Sequence, residues 1–247
     1  MRRWTTSYRF AWTPIVTFTK RQLFFLEWIE KNLDPVAFSD TPGKIGIALL
    51  SRDIRLTVGR SGMTLEDGAA SDLGVTALGP ALDGVLEMME PKSIILRSAS
   101  LAWSEAVPDV TYNEARASFA RSLSGIAFDD LNLKPIDASG LMDVLSTTLK
   151  GQAEWGVVSA PELIERLSDP DEGRLANNRP EANLVGIDVE DLPEASIFVD
   201  TSLNTLNPDF LTTRTGIESA IESVEDSSKQ LAAMVHSKAL LQIGKTK

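Results

Sequence analysis

Hydrophobic and polar positions along the chain run in two rhythms, one with the period of a strand and one with the period of a helix. Residues 93–103, SIILRSASLAW, carry the longest strand pattern, with Ile95, Arg97, Ala99, Leu101 and Trp103 on one face and Ile94, Leu96, Ser98, Ser100 and Ala102 on the other. Both faces are largely apolar, which predicts a central strand, and Pro91 and Pro108 bound it. Upstream, Tyr8, Phe10 and Trp12 alternate with Arg9 and Ala11, predicting a strand with an aromatic face over residues 6–18; Pro14 points to an edge or a bulge. Residues 19–33 switch to helical spacing. Leu23, Leu26, Ile29 and Leu33 form a stripe that Phe24, Phe25 and Trp28 widen, and Asp34-Pro35 ends it. So broad a stripe asks for cover on two sides, or for a partner.

KIGIALL, IRLTVG and GMTLE follow, separated by short Asp- and Gly-containing links, and read as an antiparallel meander over residues 44–66. Ser71 or Asp72 is placed to cap a helix carrying Leu78, Leu82, Val85 and Met89, kinked or restarted at Gly79-Pro80. Beyond the central strand, Thr111 and Glu114 have capping-box spacing ahead of a helix that turns Ala115, Phe119 and Leu123 inward and stops before Gly125. Residues 141–149 and 152–158 read as a hairpin around Lys150-Gly151. Ser159 and Glu162 repeat the capping box, with Pro161 in the first turn of a short helix.

Residues 168–182 read as a surface loop, and residues 183–189 with 195–201 as a second hairpin through EDLPE. Residues 216–243 form a long amphipathic helix, with Ile217, Ile221, Val224, Leu231 and Val235 on a stripe that Ser228 breaks. Antiparallel strands interleaved with helices give an α+β protein, mainly antiparallel sheet covered by helices. Its two halves, residues 6–90 and 93–243, share a strand-helix-strands-helix order. We read residues 1–247 as one domain, the alternative being subdomains 1–91 and 92–247.

Composition narrows the chemistry. The chain has 247 residues, 43% hydrophobic and 24% charged, the balance of a folded protein rather than a disordered one. It has no Cys, which excludes disulfides, thiolate metal sites and a Cys nucleophile, and fits a cytoplasmic location. No export signal follows the opening arginines, and the longest apolar run is far short of the ~20 residues of a membrane span. Net charge is −11, unevenly spread: residues 1–26 hold five basic residues and no acid, whereas residues 160–200 hold eleven acids against three arginines. Overall acidity disfavours nucleic acid, whose binders carry a basic footprint.

Candidate sites are few. His236 is the sole histidine, so two-histidine metal chemistry is excluded; no G-x-S-x-G elbow is present to make it a triad base. Gly244-Lys245-Thr246 lacks the first glycine and preceding strand of a phosphate-binding loop. Asp188, Glu190 and Asp200 would meet on the second hairpin, an arrangement suited to Mg²⁺ or Ca²⁺ and phosphoester hydrolysis; Asp129, Asp130 and Asp137 are weaker candidates.

The reading favoured by the residues is a non-enzymatic interaction or assembly module that needs no cofactor. It would bind a protein partner or a second copy of itself through Arg2, Arg3, Arg9, Phe24, Phe25 and Trp28. A Mg²⁺-dependent hydrolase and a nucleic-acid subunit acting through the basic first strand are the alternatives.

Overall fold

The computed structural model describes residues 1–49, 53–68, 74–124, 139–169 and 180–244. Nine antiparallel strands form one sheet: β1 (Arg2–Ala11), β2 (Ala37–Thr41), β3 (Lys44–Leu49), β4 (Ile54–Gly59), β5 (Gly62–Asp67), β6 (Ile95–Ala106), β7 (Ser139–Leu145), β8 (Leu149–Ser159) and β9 (Ala195–Thr205). Their spatial order is β2-β3-β4-β5-β1-β6-β9-β8-β7. The helices are α1 (Phe18–Asn32), α2 (Gly74–Gly84) running into a π turn over Val85–Met89, α3 (Tyr112–Ser124), α4 (Ala160–Ser168) and α5 (Arg214–Gly244). This is the α+β arrangement with an antiparallel sheet that the alternation predicts.

The order is symmetric about the β1/β6 pair. Going outward, β5 mirrors β9, β4 mirrors β8 and β3 mirrors β7, while β2 extends one side alone. The long strand of residues 93–103 therefore lies beside β1 at the seam between the halves, pairing β1 on one edge and β9 on the other. In chain order each half runs strand, helix, further strands, helix, with α4 as an extra element between β8 and β9.

Helices α1, α2, α3 and α5 cover one face. Phe25, Ile29, Leu82, Phe119, Ile217, Ile221 and Val235 come from them into a core shared with Tyr8, Leu56, Leu65, Leu101, Trp103 and Val199 of the sheet. On the opposite face a smaller cluster, Leu163 and Leu167 of α4 with Trp4, Ala102, Val158 and Phe198, occupies one corner. Burying such side chains is worth about 1.5–3 kcal/mol each, so the four-helix face supplies most of the apolar stabilisation.

The meander of β3, β4 and β5 falls on the three runs predicted. Both capping boxes form: Glu114 N–H donates to Thr111 Oγ1 at 3.4 Å while Thr111 N–H donates to Glu114 Oε2 at 3.0 Å. Ser159 and Glu162 do the same at the start of α4. The predicted Ser71 or Asp72 cap lies outside the described residues, as do Asp129, Asp130, Asp137, Lys245 and Thr246.

Several expectations are corrected. The aromatic strand stops at Ala11, and residues 12–17 lead into α1. Lys150 and Gly151 are not a turn. They lie inside β8 opposite Asn204 and Leu203, where a Cβ on Gly151 would collide with the Ser202 carbonyl, and the turn is at Ser146, whose Oγ accepts from Leu149 N–H at 2.9 Å. Residues 183–189 form no strand, because β9 already has β6 on one side and β8 on the other. Gly186, at φ +78°, also breaks extended backbone there. Leu23 and Phe24, placed on the helix stripe, are 62% and 50% exposed; the inward stripe of α1 is Phe18, Gln22, Phe25 and Ile29.

Candidate binding face

Among the described residues α4 is the one α-helix that packs on the other side of the sheet, and the strand register says which side chains share that face. One row of cross-strand neighbours runs Ser39, Gly46, Thr57, Thr64, Arg9, Ser98, Asn204, Lys150, Leu145 from edge to edge. The adjacent row on the same face runs Ala37, Ala48, Arg55, Glu66, Ser7, Ser100, Ser202, Gln152, Asp143. Across nine strands neither row holds an aromatic side chain. Arg9, Arg55, Asn204, Lys150, Gln152 and Asp143 are exposed, Thr57, Thr64, Ser98, Ser100 and Ser202 half-buried, and Ser7 buried. A sheet face this rich in hydroxyls and amides is at ease in water and gains nothing from being covered by apolar helices.

Charge gathers at one side of it. Arg55 stands directly across from Glu66, and Arg9 and Lys44 also act on that carboxylate. Burial nevertheless raises the Glu66 pKa above the ordinary carboxylate value, against the pull of these three cations. Further along, Gln152 Nε2 donates to Asp143 Oδ1 at 2.9 Å.

The covered face handles polarity differently, by pairing it. Arg3 Nη1 donates to Glu225 Oε1 of α5 at 2.5 Å and Arg3 Nη2 donates to Asp67 Oδ2 at 3.5 Å, while Tyr8 OH donates to the same Glu225 oxygen. Burial first, then Glu225, pushes the Tyr8 hydroxyl well above its usual pKa. Nearby, Trp103 Nε1 donates to Ser228 Oγ at 2.8 Å, and Ser228 Oγ shares a 2.8 Å hydrogen bond with Thr201 Oγ1. Ser228, the apparent break in the α5 stripe, is fully buried and is where the helix is joined to β6 and β9.

The residues singled out from the sequence are distributed over both faces. Arg9 stands in the middle of the open rows. Arg3, which has the same parity, points the other way, because a register shift between Arg3 and Thr5 turns the strand over; it is held in the Glu225 pair rather than presented to a partner. Arg2 is exposed and stacks on Trp4, its guanidinium carbon 3.8 Å from the ring centroid, at the mouth of a cavity of about 390 Å³ beside α4. Phe25 is fully buried and so unavailable to a partner; Trp28 is half-buried, stacked with Phe25 at 6.3 Å and laid against Gly84, where a Cβ would come within 2.5 Å of its ring. Phe24 remains at the surface.

The carboxylate set does not assemble. Asp188 and Glu190 are exposed around a short 3₁₀ turn, whereas Asp200 is buried in β9 across from Ala102 and Glu154. Among the described residues no group of three or more His, Asp or Glu is arranged to hold a metal ion. His236 is buried with Nδ1 3.6 Å from Glu105 Oε2. The open rows themselves were not foreseen, although their signal was present: Ser98 and Ser100 share one face of the longest strand.

No protein-family model and no curated protein matches the sequence. Among solved structures, Methanococcus jannaschii TBP aligns over 93% of this chain and 98% of its own, with 9% identity and a TM-score of 0.32. That likeness is loose, and the fold stands on the strand order alone. No helix among the described residues is long and apolar enough to cross a membrane.

Proposed function

We propose that the protein is a non-enzymatic interaction module whose open sheet face receives a protein partner. The observation that carries this reading is the pair of largely polar rows that spans all nine strands and on which, among the described residues, no helix of the four-helix face packs. A broad face lined by Ser, Thr, Asn and Gln offers many hydrogen-bonding groups on a rigid backbone. Small side chains also let a partner approach closely at little cost in side-chain entropy.

The test is comparative capture from the native cell. Wild-type protein and a Ser100→Trp variant, which raises a large ring from the centre of the face, are used as bait in parallel with Glu27→Trp on exposed α1. A partner held by the first and third baits and lost from the second supports the proposal. Equal capture by all three removes it.

A further inference from the structure

We infer that the protein binds a small organic ammonium ion, an amine carried on a compact aryl or alkyl group, in a cavity between α5 and the strand ends. The cavity measures about 360 Å³ and lies on the helix-covered side, apart from the proposed partner face. That volume is within the roughly 300–1,000 Å³ of small-molecule sites. Leu96 of β6 and Val224 of α5 are buried at its floor, and half-buried Leu149, Leu211 and Ala220 form its walls. The sequence of α5 accounts for the space. Gly216, Ser219, Ala220 and Ser223 put small side chains on the side of the helix that meets these strand ends, while Ile217 and Ile221 beside them fill the core.

Polar groups gather at the mouth. Asp209, Ser219 and Ser223 are exposed there, and among the described residues lining the cavity Asp209 alone carries a charge. Among the described residues none forms an ion pair or hydrogen bond with its carboxylate. The turn that carries it is fixed at both ends: Leu206 N–H donates to the Thr148 carbonyl at 2.6 Å, and Leu211 N–H to the Ile94 carbonyl at 2.7 Å. Between them Asn207 takes a left-handed φ of +49°, and Pro208 restricts its own. A carboxylate held on such a turn meets a cation with little ordering left to do.

The lining selects the occupant. The start of α5 offers no competing anion site, since Thr213 accepts from Gly216 N–H at 3.1 Å through Oγ1 and from Ile217 N–H at 3.1 Å through its carbonyl. Arg214 in the same turn is engaged by Asp83 at 2.9 Å and Glu218 at 2.7 Å. An anion would therefore meet Asp209 with no cation in the lining to answer it. A nucleobase would find no aromatic ring in the lining on which to stack. A divalent metal would find one carboxylate, where oxygen-ligand sites require several groups. An ammonium group instead has three donors for the carboxylate and hydroxyls of the mouth, and its apolar body displaces water from the leucines.

Amide NMR spectra of the full chain are recorded with phenethylamine and with hexylamine, and with phenylacetate and phenethyl alcohol as the matched anion and neutral compound. One amine or both are expected to shift the Leu211, Ala220 and Val224 amides saturably, at concentrations where neither comparison compound does. Affinity should fall about three- to tenfold in Asp209→Asn, stay unchanged in Glu27→Gln on α1, and vanish in Ala220→Leu, whose side chain fills the cavity. The absence of a saturable shift with either amine overturns the inference. So does equal binding of phenylacetate or the alcohol, or amine binding indifferent to Asp209→Asn. If Ala220→Leu misfolds, Asp209→Asn at an exposed position decides alone.

Discussion

Ser100 and Leu101 are neighbours on β6 and live in different solvents. Leu101 is fully buried beneath the helices in a core that includes Trp103, Val199 and Ile221; Ser100 stands half-buried on the opposite face, where among the described residues α4 alone of the α-helices packs, at one corner. The same contrast recurs on β1, where Tyr8 is locked to Glu225 of α5 and Arg9 is exposed to solvent. The lesson is a division of labour. One face holds the fold together, so the other is free to carry side chains chosen for something else.

That division is broken most severely by cutting the covered face. Leu101→Ala should cost about 2–5 kcal/mol in urea unfolding, while Ser100→Ala beside it should change stability by under about 0.5 kcal/mol. Comparable losses from the two would mean that the open face is part of the core. Next in size is Ser228→Ala. It leaves the Trp103 indole N–H without its acceptor in a buried site, a loss of about 1–3 kcal/mol, and the companion Trp103→Phe in the Ser228→Ala background should cost little more.

How far the sequence disclosed this is uneven, for physical reasons. Runs whose partners are local were readable: β3, β4 and β5 joined by short links, the capping boxes at Thr111 and Ser159, and the seam strand itself. The stripe of α1 was not, because its apolar residues surround too much of the helix to mark a side. What fixes the side is Gln22, a buried polar residue whose amide donates to Asp40 and to the Thr41 carbonyl on β2, a contact that no local pattern announces. Arg3 faces α5 because a bulge reverses the parity of β1, and Asp188, Glu190 and Asp200 do not meet because β9 has no edge left for residues 183–189. In each case a non-local partner overrode a pattern that was locally sound.

Two smaller effects sharpen the contrast. Glu162 is drawn toward a raised pKa by burial, but hydrogen bonds from the Ser159 backbone, Tyr112 OH and the Ser159 hydroxyl outweigh this and leave it below the usual value. A carboxylate with a depressed folded pKa stabilises the protein above its unfolded pKa and loses that contribution as pH falls through the folded one. Urea unfolding from about pH 7 to about pH 3 should show this decline, and Glu162→Gln, about 1 kcal/mol less stable at neutral pH, should flatten its part of it. Glu66 on the open face has the opposite sign. Its raised pKa means that ionisation disfavours the fold, so Glu66→Gln should be slightly stabilising near neutrality, with no gain at acid pH, where the carboxyl is already protonated.

The open face is most directly examined by placing one thiol on it, which a chain without cysteine makes simple. Ser98→Cys, Thr201→Cys and Glu27→Cys are labelled with a maleimide, first as purified proteins and then in native-cell lysate. The account predicts rapid labelling at Ser98→Cys and Glu27→Cys and slow labelling at buried Thr201→Cys in the pure proteins, with Ser98→Cys alone slowed in lysate by its partner. Slow labelling of purified Ser98→Cys, or a rate that lysate leaves unchanged, would contradict it.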